Sequence, residues 1–258
     1  MRRTGPSTRR HLALGQVTST NTIALEAARS GDPGSLWITA ESQSAGRGRR
    51  GRPWSSQQGN LYASLLLVDP APVHAMGQIP LVIAVGLRDG LLKLPGADPA
   101  AIRIKWPNDL LIGGAKCVGI LVESERTPDG RQAVVIGFGV NVASAPEGGP
   151  YAVTTLSKAG IVAGVRDVFL SVAAGIEGAL DLWRQGAHFS DIRLHWLSGA
   201  AGIGGPCRVN LPNETIEGRF ADLDSSGRLV LDLPDGTRRE VSAGDVFLLP
   251  RDDAAAVL

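Results

Sequence analysis

Cysteine is nearly absent: Cys117 and Cys207 are the only two in 258 residues, and no CxxC spacing occurs. That excludes a disulfide scaffold and a zinc ribbon and points to a reducing compartment, with both thiols as small core residues. The four histidines, His11, His74, His188 and His195, are scattered without an HExxH pattern, so a zinc hydrolase has no ligand set. An excess of either charge is missing too, with 26 basic against 25 acidic residues and a formal net charge of +1. No chain-wide positive field argues for general nucleic-acid binding, and any basic patch has to be local. No stretch approaches the roughly 18 uncharged apolar residues that a membrane span needs. After the arginine-bearing start Met1 to Arg10, Leu12 to Gln16 is too short and polar for a secretory signal. Aromatic residues are only 5%, which leaves Ala, Val, Leu and Ile to build the core.

Glycine, by contrast, is plentiful at 33 residues, which implies many tight turns or backbone-lined sites. With 43% hydrophobic residues the chain is long enough for one large domain, or for a medium domain with a small appendage. Residues 1–11 read as a frayed tail. Ser19-Thr20-Asn21 precede an apolar-periodic run ending near Gly31, a capped helix in which capping alone explains Ser19 and Thr20. Leu36 to Ala40 reads as a strand leading into a loop from Glu41 to Ser56, and Asn60 to Val68 as a buried strand. Helical spacing follows from Ala75 to Leu94, restarted at Pro80, then a strand from Ile102 to Trp106 with Pro107-Asn108-Asp109 as its turn. Strands flank Gly113-Gly114, Val134 to Val142 is a further strand, and Val165 to Trp183 and Phe189 to Leu197 are helical. Past Gly204-Gly205-Pro206 the texture becomes short strands at about ten-residue spacing, as in a small β-barrel. The expected division is therefore 1–11, 12–203 and 204–258.

The most unusual stretch is Gly46-Arg47-Gly48-Arg49-Arg50-Gly51-Arg52. Its formal GxGxxG match is rejected, because Pro53-Trp54-Ser55-Ser56 follow where a dinucleotide site would open a helix. No GK[ST], HRD or DFG segment supports a Walker loop or a kinase. Three readings stay open on the residues alone: a solvated basic loop, a nucleic-acid contact, and a clamp for the phosphates of a small molecule. The clamp is favoured because no basic stripe elsewhere supports nucleic acid, and because interleaved glycines let the backbone approach a ligand. Other features agree with it. Lys105, Asn108 and Asp109 group an ammonium, an amide and a carboxylate around one turn, suited to nucleotide or Mg²⁺ contact. Lys116 enters an apolar strand, where an ammonium needs an anion. Gly137 and Gly139 leave alternate strand positions bare before Asn141, making room for a ligand plane.

In order along the chain, several stretches together resemble the biotin–protein ligases. They are Ser19-Thr20-Asn21, Gln43 through Trp54, Asn60-Leu61-Tyr62, Lys105 through Asp109, Lys116 through Glu123, and Gly137 through Val142. The resemblance implies an α/β (α+β) fold: a catalytic domain related to class II aminoacyl-tRNA synthetases, with a mixed sheet and flanking helices, followed by a small SH3-like barrel. It implies an ATP-dependent ligase that forms biotinyl-5′-AMP and passes biotin to a lysine of a biotin carboxyl carrier domain. By that likeness Ser19, Thr20, Asn21, Gln43, Gly46, Arg47, Gly48, Arg49, Lys116 and Gly119 surround biotin. Arg47, Arg49 and Lys116 would be catalytic, facing the reacting carboxylate and the α-phosphate. Arg49, Arg50, Arg52, Trp54, Lys105, Asn108 and Asn141 would bind ATP or the adenylate, and Asp109 the Mg²⁺. The segment after Val142 is Pro/Gly-rich, and its match to a part that closes over adenosine is weak. The same likeness implies a cytoplasmic monomer or weak homodimer with no DNA or membrane partner, since Ser19 lies too near the start to leave space for a DNA-binding domain before it. A lipoate–protein ligase is the nearest alternative, and a nucleic-acid module using the arginine loop the more distant one.

Overall fold

The structure, a computed structural model, describes residues 10–146 and 151–250. The chain divides into two compact units, one made of Met1–Pro72 and Ala115–Leu170, the other of Val73–Gly114 and Ser171–Leu258.

The first unit is organised by a mixed sheet. Strand β1 (Arg10–Val17) runs parallel to β2 (Leu36–Gln43), and the helix α1 (Thr20–Arg29) makes the crossover between them. Next come β3 (Leu61–Val68), β7 (Gln132–Val140) and β6 (Ala115–Arg126), each antiparallel to its neighbour in the order β1-β2-β3-β7-β6. Arg10 and His11 are therefore strand residues rather than tail, Arg10 pairing with Leu36 and holding Asp32 at 2.7 Å; the rest of the expected tail, 1–9, lies outside the described residues. β1 went unread in the sequence because its apolar run, Leu12 to Leu14, is only three residues long and follows an arginine-bearing start.

Helix α1 buries Ala24 and Ala28, one turn apart, against Ile38, Leu66 and Val135 of the sheet. Small side chains at those two places let the helix lie close. On β7 the face that carries this contact continues from Ala133 and Val135 to Gly137 and Gly139, because side chains alternate with period two. The opposite face buries Trp37 and Phe138, whose rings meet edge-on at 6.2 Å, with Phe169 set against Trp37 at 5.6 Å.

In the second unit, a 3₁₀ turn (Val73–Gln78) leads into α2 (Ile79–Leu91), with Pro80 in the first helical turn, where its missing N–H costs nothing. The hairpin β4 (Ile102–Lys105) and β5 (Asp109–Ile112) is closed by the turn at 106–108, whose Trp106–Pro107 bond is cis. Helix α3 (Val165–Trp183) passes into this unit, where Trp183 donates its indole N–H to buried Gln78 at 2.7 Å, and α4 (Phe189–Ser198) follows. The last described elements form a five-stranded antiparallel sheet, β8 (Pro206–Asn210), β9 (Thr215–Leu223), β10 (Leu229–Asp232), β11 (Arg238–Val241) and β12 (Asp245–Leu248), in the order β11-β10-β9-β8-β12. Helices, a mixed sheet and this small β domain make the fold α/β, as expected.

Candidate active site

The start of α1 is polar where its environment is not. Ser19, Thr20 and Asn21 are only 3–4% exposed, beside wholly buried Ser64 of β3. Ser19 stands at the N-cap with no side-chain capping bond, so capping does not account for this triplet. Instead Thr20 donates its backbone N–H to Gln43 Oε1 at 2.8 Å, and its hydroxyl lies 3.2 Å from the same oxygen. Ser64 Oγ is 2.7 Å from Thr20 Oγ1 and 2.6 Å from Asn21 Oδ1. Asn21 Oδ1 can only accept, so the one Ser64 proton goes there and the Thr20 hydroxyl supplies the other contact. The Asn21 amide then donates to Glu123 Oε2 of β6 at 2.7 Å.

The glycines of the sheet make this possible. Gly137 faces Ser64 across one ladder, and Gly139 faces Gly119 across the other. A Cβ at Gly137 would lie 2.1 Å from Asn21 Oδ1, and one at Gly139 would lie 2.4 Å from the Trp54 indole nitrogen. A Cβ at Gly119 would meet the same indole at 2.7 Å. The space expected over Gly137 and Gly139 for a ligand plane is thus taken by the protein's own Asn21 and Trp54. Bare strand positions admitted those side chains because nothing larger than hydrogen projects from them. Trp54 Nε1 is buried there without a hydrogen-bond partner. The Lys116 side chain passes beside Gly119, with its ammonium 5.4 Å from the ring centroids of both Trp54 and Tyr151.

The arginine loop is closed at its neck by backbone pairing. Gln43 N–H donates to Ser56 O at 3.2 Å, Trp54 N–H to Gly46 O at 2.9 Å and Gly48 N–H to Arg52 O at 2.7 Å, with Arg47 and Pro53 bridged. Gly46 is required by this neck: a Cβ there would be 2.4 Å from Ser56 Oγ. At the tip Arg49–Gly51 form a 3₁₀ turn in which Arg50 takes φ +56°. Arg49 is half-buried, while Arg50 and Arg52 are exposed. The Arg47 guanidinium turns away from the tip. It reaches Glu123 Oε2 at 3.0 Å and donates to Thr22 Oγ1 at 2.9 Å.

Beyond β7, Asn141 continues the site through the chain after it. Its backbone N–H donates to Cys117 O at 2.9 Å and its side-chain amide to Thr154 O at 3.2 Å. The segment from Ala152 to Leu156 runs along Lys116 and Asn141 with bonds of 2.9 Å from Lys116 N–H to Ala152 O and from Thr154 N–H to Lys116 O. Asn60 anchors the intervening turn, its Oδ1 accepting from the N–H groups of Val142, Ala143 and Ser144 at 2.8–3.2 Å. Burial pushes the Cys117 thiol up to about 12, which keeps it protonated and inert as a nucleophile.

The structure thus gathers Ser19, Thr20, Asn21, Gln43, Gly46, Arg47, Trp54, Lys116, Gly119 and Asn141 in the first unit. Lys105, Asn108 and Asp109 belong to the second, at the β4–β5 turn, where Lys105 pairs with Asp109 across the hairpin. The Lys105 ammonium stands 5.8 Å over the Phe247 ring, and Trp106 donates its indole N–H to Gly227 O at 3.2 Å. Sequence reasoning gave no role to Ser64, Glu123, Thr22 or Tyr151. Ser64 and Glu123 had a signal: period two puts each on the face of the glycines, and Ser64 is the one hydroxyl in Leu61–Val68 besides Tyr62.

This arrangement can be set beside known proteins. The model of the biotin/lipoate A/B protein ligase family matches residues 14–141, and that of the biotin protein ligase C-terminal domain matches residues 202–249. A biotin–[acetyl-CoA-carboxylase] ligase of Paracoccus denitrificans is 38% identical over 239 residues, covering 91% of this chain and 98% of that protein. The chain belongs to the biotin protein ligase family. It is an enzyme, a ligase. The corresponding Mycobacterium tuberculosis ligase is 36% identical, covering 92% of this chain and 88% of that one. Among solved structures, the Aquifex aeolicus biotin protein ligase in complex with biotin and ATP matches this ligase with a TM-score of 0.78 at 26% identity, over 93% of this chain and 99% of that one. The C-terminal sheet of this ligase, β8 to β12, lies within the second matched range, residues 202–249.

Proposed function

We propose that this ligase activates biotin with ATP and transfers it to a lysine of a biotin carboxyl carrier domain. A biotin carboxylate oxygen attacks the α-phosphorus, the bond to pyrophosphate breaks, and biotinyl-5′-AMP forms. A neutral lysine amine then attacks the acyl carbon, AMP leaves with the bonding electrons, and the amine proton passes to solvent. Neither step calls for a protein nucleophile, in keeping with a buried, protonated Cys117.

The observation that carries this reading is the buried polar start of α1 set on a glycine-floored sheet, with the Lys116 ammonium on the same floor. A ring system with a polar head needs such a surface: an apolar ring face from Trp54, which lies on the floor, and fixed donors and acceptors from Thr20, Asn21, Gln43 and Ser64. We assign Ser19 and Gly48 to the same biotin subsite, Lys116 and Arg49 to the developing charge between carboxylate and α-phosphate, and Arg47 to the loop that brings Arg49 there. Trp54 and Asn141 go to the adenylate, with Arg50 and Arg52 at the loop tip toward its phosphates. One well-placed donor is worth roughly 2.7–4 kcal/mol in such a step, and approximation of reactants about 7–11 kcal/mol. Positioning therefore dominates the rate.

For the β4–β5 turn, the assignment of Lys105 and Asn108 to the triphosphate and Asp109 to Mg²⁺ rests on donor chemistry. Mg²⁺ prefers oxygen ligands and is commonly held through one or two carboxylates plus phosphates, which a single aspartate at a turn fits. When bound, the ion neutralises phosphate charge. A catalytic domain at 12–203, a small domain at 204–258, a cytoplasmic location and a monomeric or weakly dimeric state belong to the same reading. Two free buried thiols fit a reducing compartment.

The deciding experiment incubates the protein with ATP, Mg²⁺ and labelled biotin, with and without a carrier domain, and resolves the products by mass. Biotinyl-5′-AMP and pyrophosphate appear first, then biotinylated carrier and AMP. Adenylate formed from lipoate but not from biotin would overturn the choice of acid.

A further inference from the structure

One carboxylate ties together the two halves of the candidate biotin site. Glu123 accepts from the Asn21 amide at 2.7 Å through Oε2, and the Arg47 guanidinium reaches both of its oxygens at 3.0–3.3 Å. Asn21 belongs to the buried start of α1, and Arg47 to the neck of the arginine loop. Glu123 itself projects from β6 on the face that carries Gly119, four residues earlier in a strand of period two. Thr22 completes the link by accepting a second Arg47 bond at 2.9 Å.

We infer that Glu123 is a positioning residue of this ligase, one that latches the arginine loop and sets the hydrogen-bonding polarity of the acid subsite; this rests on the reading given under Proposed function. An amide side chain can present either end. Because a carboxylate has no proton to offer, Glu123 forces the Asn21 NH₂ toward itself and turns Oδ1 toward Ser64. Reversing the amide would set its oxygen against the carboxylate and lose the bond to Glu123, while Ser64 would have to accept from the amide where it now donates. The Gly137 cradle leaves no other place for the amide, since Asn21 Oδ1 already sits 2.1 Å from where a Cβ would be. From its other side the same carboxylate draws Arg47, and with Arg47 the strand-like neck Gly46 to Pro53, onto β6. The pair is roughly 30% exposed on each side, so it is partly screened; its effect lies in geometry more than in global stability. A ligand that engages Asn21 is thereby linked to the placement of Arg49 at the loop tip.

The test uses the full chain with Glu123→Gln, Arg47→Met and Glu123→Asp. Trypsin cleavage after Arg49 and Arg50 is followed without ligand, and biotin and ATP KM values are taken from biotin-dependent ATP–pyrophosphate exchange. In Glu123→Gln and Arg47→Met, loop cleavage accelerates and the biotin KM rises, each by about tenfold, the loss expected for a hydrogen bond to a charged group. The ATP KM moves less, and Glu123→Asp recovers part of the effect. Circular dichroism checks folding; if Glu123→Gln fails to fold, Arg47→Met carries the test, its side chain being on the loop. Wild-type cleavage in these variants overturns the latch, and faster cleavage with an unchanged biotin KM overturns its role in the acid subsite. Absence of exchange in the unmutated protein would instead sink the biotin reading, while the ligand-free cleavage still judges the latch.

Discussion

Glycines are used in opposite ways in the two units. On β6 and β7 of the first, Gly119, Gly137 and Gly139 clear the sheet for side chains, the amide of Asn21 and the indole of Trp54. In the second, Gly86 and Gly90 of α2 and Gly175 of α3 clear the way for backbone. A Cβ on Gly86 would lie 2.5 Å from Ile176 Cα, one on Gly90 2.5 Å from Val172 Cα, and one on Gly175 2.2 Å from Gly86 O. The helix contact is close and apolar, apart from the Ser171 hydroxyl donating to Gly90 O at 2.7 Å. The strand contact holds polar groups that a ligand can engage. A bare position in a sequence therefore says that something comes close; what comes close decides between packing and chemistry.

The strongest way to sharpen this contrast lies on the glycine floor of the first unit. Lys116→Ala lowers biotin-dependent ATP–pyrophosphate exchange about 10²–10³-fold, the scale of one lost charge-stabilising donor, with the circular dichroism spectrum unchanged. Exchange at the wild-type rate would remove Lys116 from the site. Next come paired alanines. Gly90→Ala, which forces helix backbones apart, costs about 1–3 kcal/mol of stability and leaves the biotin KM alone. Gly139→Ala displaces the Trp54 indole and raises the biotin or ATP KM with a smaller loss of stability. If denaturant unfolding and steady-state kinetics show the two variants with the same profile, the distinction between the regions fails.

The smallest effect compares the two buried thiols, one in each unit. Burial pushes Cys117 up to about 12 and Cys207 up to about 11, from an ordinary thiol value of 9.0. Both folded values are raised, so the contribution to stability is complete below the unfolded value and is lost as pH climbs through the folded ones. The melting temperature therefore declines between about pH 9 and 12, with a shallower slope in the Cys117→Ala/Cys207→Ala protein. An unchanged slope would show that the thiols do not titrate with unfolding.

Much of the scaffold was legible in residue patterns. Helices α3 and α4 and the C-terminal strands lie where periodicity and turn residues put them, and the turn expected at Pro107-Asn108-Asp109 falls one residue earlier, with Trp106 in it and Asp109 opening β5. Strand β1 was hidden because the apolar run of this mostly exposed edge strand, Leu12 to Leu14, is too short to stand out. At the site, the Ser19-Thr20-Asn21 triplet and the arginine loop stood out by composition, but capping explained the first equally well until Ser19 proved to make no capping bond. The partner of Arg47 was not legible, since 76 positions separate it from Glu123 in the chain. Nor was the occupant of the glycine floor, because Trp54 reaches it only through the folded neck of its loop.

Local chemistry thus determined which residue types this protein has available: a glycine-spaced set of guanidinium groups, bare strand positions, one lysine entering an apolar strand. Those follow from composition and from periods of two and 3.6, which a linear chain displays. Tertiary structure alone decided which of them meet. Hydrogen bonds act over about 3 Å, and only the pairing of β6, β7 and β3 under the start of α1 brings Glu123, Gly137 and Ser64 within that reach of Asn21.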